Sequence, residues 1–194
     1  LTKGVEQGER VDVGGSRFRE VATDLETGAM KVFERGWLTL AMRASMSVPG
    51  VFAPLHSEGR IYVDGGLVRN THVDVAREMG VDHLIVVRLL GDPMKPEQLN
   101  TVVGVAGQMI NILISQNESA SLAEIDPVRD VLVQPNLGDI GSGQFNRAAD
   151  AIAIGERAAR AATPLLARFS RSEADYAAWR RATGRPARPI ERVE

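Results

Sequence analysis

Apolar and polar positions change their period several times along the chain, and each change marks an element. Residues 16–24 (SRFREVATD) and 30–34 (MKVFE) carry β-branched and aromatic side chains on either side of Glu26-Thr27-Gly28, which predicts two strands joined by a turn. Between Trp37 and Met46 the apolar positions Trp37, Leu40, Ala41 and Ala44 fall three and four apart, one face of a helix. Pro49 cannot continue that helix and Gly50 lets the chain turn, so Ser45, Met46, Ser47, Val48 and Pro49 form a loop. Residues 53–63 read as a hairpin with Ser57-Glu58-Gly59 at its tip. Residues 70–79 read as a helix with Asn70 or Thr71 as N-cap and Gly80 as its stop. Residues 83–90 (HLIVVRLL) are a nearly continuous apolar run, the pattern of a strand buried on both faces. Strand, helix and apolar strand in close succession predict a right-handed crossover in an α/β sheet.

The second half begins with a proline-bearing loop at 91–97 and a long helix from Thr101 to about Glu124. Val102, Val103, Val105, Ala106, Met109, Ile110, Ile112, Leu113 and Ile114 crowd its first half, a broader apolar arc than one core-facing stripe. Burial between a sheet and a neighbouring helix is the expected reason, with an acyl-chain groove or a dimer contact as the alternatives. Gln116-Asn117-Glu118-Ser119 breaks the stripe, so the second half is expected to be solvated. Residues 130–134 (DVLVQ) form a last strand, and 138–145 (GDIGSGQF) a glycine loop without the lysine or spacing of a phosphate loop. An alanine-rich helix from Asn146 is expected to pack closely on the sheet and to kink at Pro164. A short helix around Tyr176 and Trp179 precedes a Pro/Arg segment, GRPARPIERVE, with the composition of a domain boundary.

Composition narrows the function classes. With 194 residues, 44% hydrophobic and 25% charged, the chain has material for one domain with a sizeable core. A formal net charge of -2 lacks the basic excess of a nucleic-acid binder, and no nucleic-acid partner is expected. Zero cysteines exclude disulfides and thiolate metal sites, and three scattered histidines, His56, His72 and His83, make no metal-ligand spacing. No apolar run is long enough to span a membrane as a helix.

The chemistry concentrates between Ala44 and Asn70. After the strand formers Tyr62 and Val63, Asp64 arrives at a strand end followed by Gly65 and Gly66, which let the backbone turn and leave the carboxylate facing a cleft. Asp-Gly is also a common turn dipeptide, so a purely conformational role stands beside the chemical one. The flanks separate the two. ASMSVPGVFAP, with its Ser45-x-Ser47-x-Pro49-x-x-Phe52 spacing, then Asp64-Gly65-Gly66 and Asn70, resemble the second catalytic block of the patatin-like phospholipase family; FREVATDLETG before it and VDVAREMGVDHLIVVRL after it extend the resemblance.

The resemblance implies a serine hydrolase with a Ser-Asp dyad and no catalytic histidine. Asp64 matches the base, which a site must desolvate because an exposed carboxylate titrates near pH ~4. Gly65 and Gly66 support the active-site turn. Ser45 and Ser47 sit in no elbow, and loop-shaping hydrogen bonds are their expected role. His72 stands where the family usually has proline; a Ser-His-Asp arrangement built on it is the alternative to a solvated helix-start histidine. No Gly-x-Ser-x-Gly elbow occurs: Gly14-Gly15-Ser16 is followed by Arg17-Phe18, and Gly141-Ser142-Gly143 has the wrong spacing.

Together these imply an α/β fold, a three-layer α/β/α patatin-like sheet domain incomplete at its N-terminal side. Residues 1–171 would be the C-terminal part of the catalytic domain, and 172–194 a short helix and linker towards a further domain. The first residue, Leu1 and not Met, fits a chain whose beginning is missing. The implied function is acyl hydrolysis of phospholipids or other fatty-acyl esters, with the serine outside this segment and the segment alone inactive. No metal or organic cofactor is implied; peripheral membrane contact and a possible homodimer are. Export from a bacterium is the expected location, with the cytoplasm as alternative. The rival function is a non-catalytic lipid- or protein-binding module of the same fold.

Overall fold

The computed structural model describes residues 18–141 and 143–182. The readings made for 1–17, Ser142 and the Pro/Arg segment lie outside the described residues. Among the described residues the fold is mixed α/β and is built around two sheets.

The first sheet is antiparallel, four strands in the order β2-β1-β4-β3. β1 (Glu20–Asp24) and β2 (Met30–Phe33) pair across the predicted turn, where Asp24 Oδ1 accepts from the amides of Glu26 and Thr27 at 3.0 and 3.3 Å. β3 (Leu55–Ser57) and β4 (Arg60–Asp64) pair through a two-residue loop, Glu58-Gly59, with φ of 52° and 71°. Two positive φ values in succession are what a tight hairpin with right-twisted strands requires. β1 is held on both sides, by β2 and by β4. α1 (Leu38–Ser45) lies on this sheet: Ala41 and Ala44 are buried against Ala22, Phe33 and Tyr62, and the two rings meet edge-on at 5.5 Å. Alanine at both contact positions lets the helix approach closely.

The second sheet is a parallel pair, β5 (Ile85–Val87) and β6 (Val131–Val133). A parallel pair needs a crossover, supplied here by a 3₁₀ turn (Pro96–Asn100) and α4 (Val102–Ala123). The crossover therefore lies between β5 and β6, not between β4 and β5 as the pattern predicts, because β4 belongs to the antiparallel sheet. The 83–90 run is also less strand-like than expected. Only three residues are strand, and Ile85 and Val87 are 57% and 61% exposed, since β5 pairs on one side and no described element covers its outward face.

β6 is the better covered strand: Val131 and Val133 pack with Ala158, Ala162, Leu166 and Phe169. These come from the end of α5 (Ala148–Ala161), from α6 (Thr163–Leu166) and from the turn after it. Most of α5 is exposed, so alanine content brings only its last turn onto the sheet. Pro164 opens α6 within its first turn, where a missing N–H costs nothing, and so starts a helix instead of kinking one. Buried Asp130 ties the pieces together, accepting from the amides of Leu84 and Asp126 at 3.0 and 2.9 Å and pairing with Arg77. α7 (Glu173–Ala182) stacks Tyr176 on Trp179 at 5.8 Å.

The burial of α4 is the reverse of the expectation. Val102, Val103 and Met109 in its apolar half are 87%, 76% and 61% exposed, whereas Glu118 and Ser121 in its polar half are buried. The side that turns inward passes through Ile110, Ile114, Asn117, Glu118 and Ser121, and its polar members meet α2 (Gly66–Arg69) and the Asn70–Thr71 bend that precedes α3 (Val73–Glu78). Among the described residues the docked half of this helix is the polar one, held by hydrogen bonds to α2 and to the bend after it.

Candidate active site

Asp64 is the last residue of β4, and its main chain is fixed from three directions. It pairs with Ala22 of β1, its carbonyl accepts from Thr23 Oγ1 at 2.8 Å, and its N–H donates to the Ser47 carbonyl at 3.1 Å. The last bond stitches the loop after α1 to the strand end. Ser47 is fully buried; its hydroxyl donates to the Arg43 carbonyl at 2.6 Å and accepts from the Arg43 guanidinium, which also donates to the Ala53 carbonyl at 2.8 Å. This serine shapes the loop, as its sequence context predicts.

Gly65 is needed for room and not for an unusual turn. Gly65 has φ -67° and ψ -22°, an ordinary helical conformation. A Cβ there would lie 2.3 Å from the Val21 carbonyl oxygen, inside any allowed contact. A Cβ on Gly66 would lie 2.9 Å from Asp64 Oδ1 and 3.1 Å from Asn70 Oδ1. Of the two reasons the sequence offers for the pair, a steep turn and a close passage of the backbone, the geometry at Gly65 supports the second.

The Asp64 side chain is half-buried, and Oδ1 accepts the Gly66 N–H at 2.7 Å. Burial pushes its carboxyl above the ordinary value, against the Gly66 amide and the His72 charge, which both pull it down. Its second oxygen makes no hydrogen bond among the described residues, so one oxygen is locked and one is available. A desolvated, oriented carboxylate with a free oxygen is what proton abstraction from a hydroxyl requires. His72 precedes α3, and its Nδ1–H donates to the Arg69 carbonyl at 2.9 Å. Its charge reaches Asp64, but no hydrogen bond joins the two. Asn70 ends α2 instead of capping a helix over 70–79, because the chain bends at Asn70–His72 between two short helices.

Behind this turn lies a polar network that the sequence pattern does not reveal. Glu118, 6% exposed, accepts on Oε1 from Asn70 Nδ2 at 2.9 Å and Thr71 Oγ1 at 3.0 Å, while Oε2 pairs with Arg88 at 2.8 Å. Burial alone would raise its carboxyl, yet Arg88, Asn70 and Thr71 together hold it below the ordinary range. Asn117 Nδ2 donates to the Leu67 carbonyl, and Arg69 pairs with Asp74 at 3.0 Å and reaches Ser121. Asn117, Glu118 and Ser121 lie three and four apart within a helix otherwise apolar on that side; this spacing is the signal that marks them.

A cavity of about 220 Å³ opens beside the network, with Asn70, Thr71 and His72 on one wall and Leu84, Ile85 and Val87 on the other. A larger one, about 460 Å³, lies by Phe33, Trp37, Leu40, Glu58 and Tyr62 and does not include Asp64. Among the described residues no group of three or more His, Asp or Glu side chains gathers to hold a metal ion, and no helix is long and apolar enough to cross a membrane.

Comparison with known proteins agrees with the sequence resemblance. Residues 8–77 match the patatin-like phospholipase family. An uncharacterized NTE family protein of Mycobacterium tuberculosis (strain ATCC 25618 / H37Rv) is 30% identical over 115 residues, 59% of this chain and 31% of that protein. A second from the same strain is 27% identical over 166 residues, 75% of this chain and 28% of that one. Patatin-like phospholipase domain-containing protein 6 of Mus musculus is 38% identical over 72 residues, 36% of this chain and 5% of its own length. The chain thus spans less than a third of the curated relatives it matches.

Proposed function

We propose, on the footing that residues 8–77 are patatin-like phospholipase sequence, that this chain is part of an enzyme hydrolysing fatty-acyl ester bonds of phospholipids or related lipids. Asp64 is the general base, and the nucleophile is a serine outside residues 1–194, since no nucleophile elbow occurs in them. The observation that carries the reading is the state of Asp64: half-buried, its carboxyl raised by desolvation, one oxygen fixed by the Gly66 amide and the other unengaged among the described residues.

In the proposed reaction the serine Oγ attacks the ester carbonyl while its proton passes to Asp64. The tetrahedral intermediate collapses, the C–O bond to the alcohol breaks, and Asp64 returns the proton to the leaving oxygen. Water then attacks the acyl-serine, Asp64 takes its proton, and the fatty acid departs as the proton returns to serine. A base with a raised pKa accepts the serine proton at lower cost than an exposed aspartate. Residues 1–194 alone are accordingly proposed to be inactive.

The exposed Val102, Val103 and Met109 on α4 would serve peripheral contact with a lipid surface. A non-catalytic binding module is the second reading. It is favoured by the bond from Gly66 to Asp64 Oδ1, which a capping aspartate would also make. Hydrolysis of a short-chain reporter ester and of a phospholipid by the full-length protein, beside a folded Asp64→Asn variant, separates the two. The base assignment expects turnover to fall by about a hundredfold or more; undiminished turnover in the variant makes Asp64 a turn residue, and no turnover by the folded parent favours the binding module.

A further inference from the structure

α2 has four residues, too few to stand alone when helix nucleation is unfavourable, and its N-cap residue, Gly65, supplies no side-chain cap. It is held from α4. Asn117 takes the Leu67 carbonyl, Glu118 takes Asn70 and Thr71, Ser121 meets Arg69, and Ile114 Cδ1 comes within 3.6 Å of where a Gly66 Cβ would be. Glu118 is the member that is itself anchored. Its other oxygen holds Arg88, which leaves β5 with its own N–H donated to the Val133 carbonyl at 2.9 Å. A buried carboxylate joined to one guanidinium and two polar groups has little freedom, because any shift strands a charge away from water. At the opposite end of α2 is Gly66, whose N–H is the donor to Asp64.

We propose that Glu118 is a positioning residue for Asp64: anchored by Arg88, it fixes Asn70 and Thr71, and through them α2, so that the Gly66 N–H stays on Asp64 Oδ1 and the second oxygen stays aimed for proton transfer. This rests on the reading of Asp64 as general base. Glu118 touches neither Asp64 nor a substrate and acts only through α2. The charged groups around it are Arg88 and, past Ser121, the Arg69–Asp74 pair; the charge that reaches Asp64 is that of His72.

The test follows the Asp64 carboxyl directly, by ¹³C NMR titration of the full-length protein labelled at aspartate, alongside the pH profile of ester turnover. Two variants are compared with the parent: Glu118→Gln, and the double variant Glu118→Leu, Arg88→Leu, which replaces the buried pair by apolar groups of the kind that often preserves stability. Loosening α2 weakens the Gly66 bond that favours the charged carboxylate. The Asp64 proton affinity is therefore expected to rise about threefold or more in both variants, and the acid limb of kcat to move with it. Asp130→Asn, which loosens a buried pair elsewhere, is expected to leave the Asp64 titration in place. An unmoved Asp64 in the folded double variant, or an equal shift in Asp130→Asn, overturns the proposal. An Asp64 that moves with Glu118 while Asp64→Asn still hydrolyses ester upholds the link between the two residues and overturns the catalytic reading alone.

Discussion

Gly65→Ala tests the packing that sets Asp64 in place. Helical propensity at its dihedrals favours alanine by roughly 0.5–1 kcal/mol. The structure opposes it more strongly. The added Cβ would lie 2.3 Å from the Val21 carbonyl oxygen and 2.7 Å from its carbon, so the two backbones must separate by at least about 0.7 Å to reach a 3.0 Å contact. Val21 is fully buried on β1, which is hydrogen-bonded to β2 on one side and β4 on the other, so relief on one side strains a ladder on the other. Overpacking costs about 1–3 kcal/mol and more where backbone must move; after the propensity gain a net loss of about 2–3 kcal/mol is expected. For a chain of this size that lowers the melting temperature by roughly 4–12 °C. Gly155→Ala is the control: mid-helix in α5, with nothing within 4 Å of its Cβ, it should raise the melting temperature by roughly 1–4 °C. Differential scanning calorimetry reads both. A Gly65→Ala chain melting at or above the parent would refute the close approach of β1 to the Asp64 turn.

Asp64→Asn should raise the melting temperature near neutral pH. The folded state holds the Asp64 proton more tightly than the unfolded chain, so the ionised carboxylate works against folding above its raised pKa; the gain should vanish below about pH 4, where the aspartate is protonated in both states. Glu118 and Asp130 have the opposite sign: their lowered carboxyls stabilise the fold above the ordinary carboxylate range and lose that contribution as pH falls through their folded values. Glu118→Ala should accordingly cost about 3–5 kcal/mol at neutral pH in denaturant titration, for breaking a buried pair, and much less in acid. Val102→Asn with Val103→Asn should move the melting temperature by no more than about 2–4 °C, since each surface change is worth at most roughly 0.5 kcal/mol, while weakening sedimentation with phosphatidylcholine vesicles.

What was legible in the sequence was local. The hairpin at Glu58-Gly59, the helix over Trp37–Met46 and the loop-shaping role of Ser47 follow from turn chemistry and spacing, forces acting within a few residues. Asp64 stands out in the sequence because its neighbours resemble a known block, and its role as base is a proposal. The second sheet was not: apolar content in 83–90 speaks for a strand but does not say which strand it pairs with, and the β5–β6 pairing closes between residues over forty positions apart. α4 failed for a related reason. Its valines and isoleucines mark a preference for burial, but its docked half is the one whose Asn117, Glu118 and Ser121 find partners, and those partners lie on α2, in the bend after it and just past β5.

The central claim is a serine outside residues 1–194 activated by Asp64, and covalent labelling tests it most directly. A fluorophosphonate reagent, which bonds to activated serines, would be incubated with the full-length protein and with folded Asp64→Asn, and the modified residue located by peptide mass spectrometry. The account predicts one labelled serine, outside this segment, with the rate of labelling falling by about a hundredfold or more in Asp64→Asn. Labelling that proceeds equally in both proteins, or no labelling of the folded parent, would contradict it.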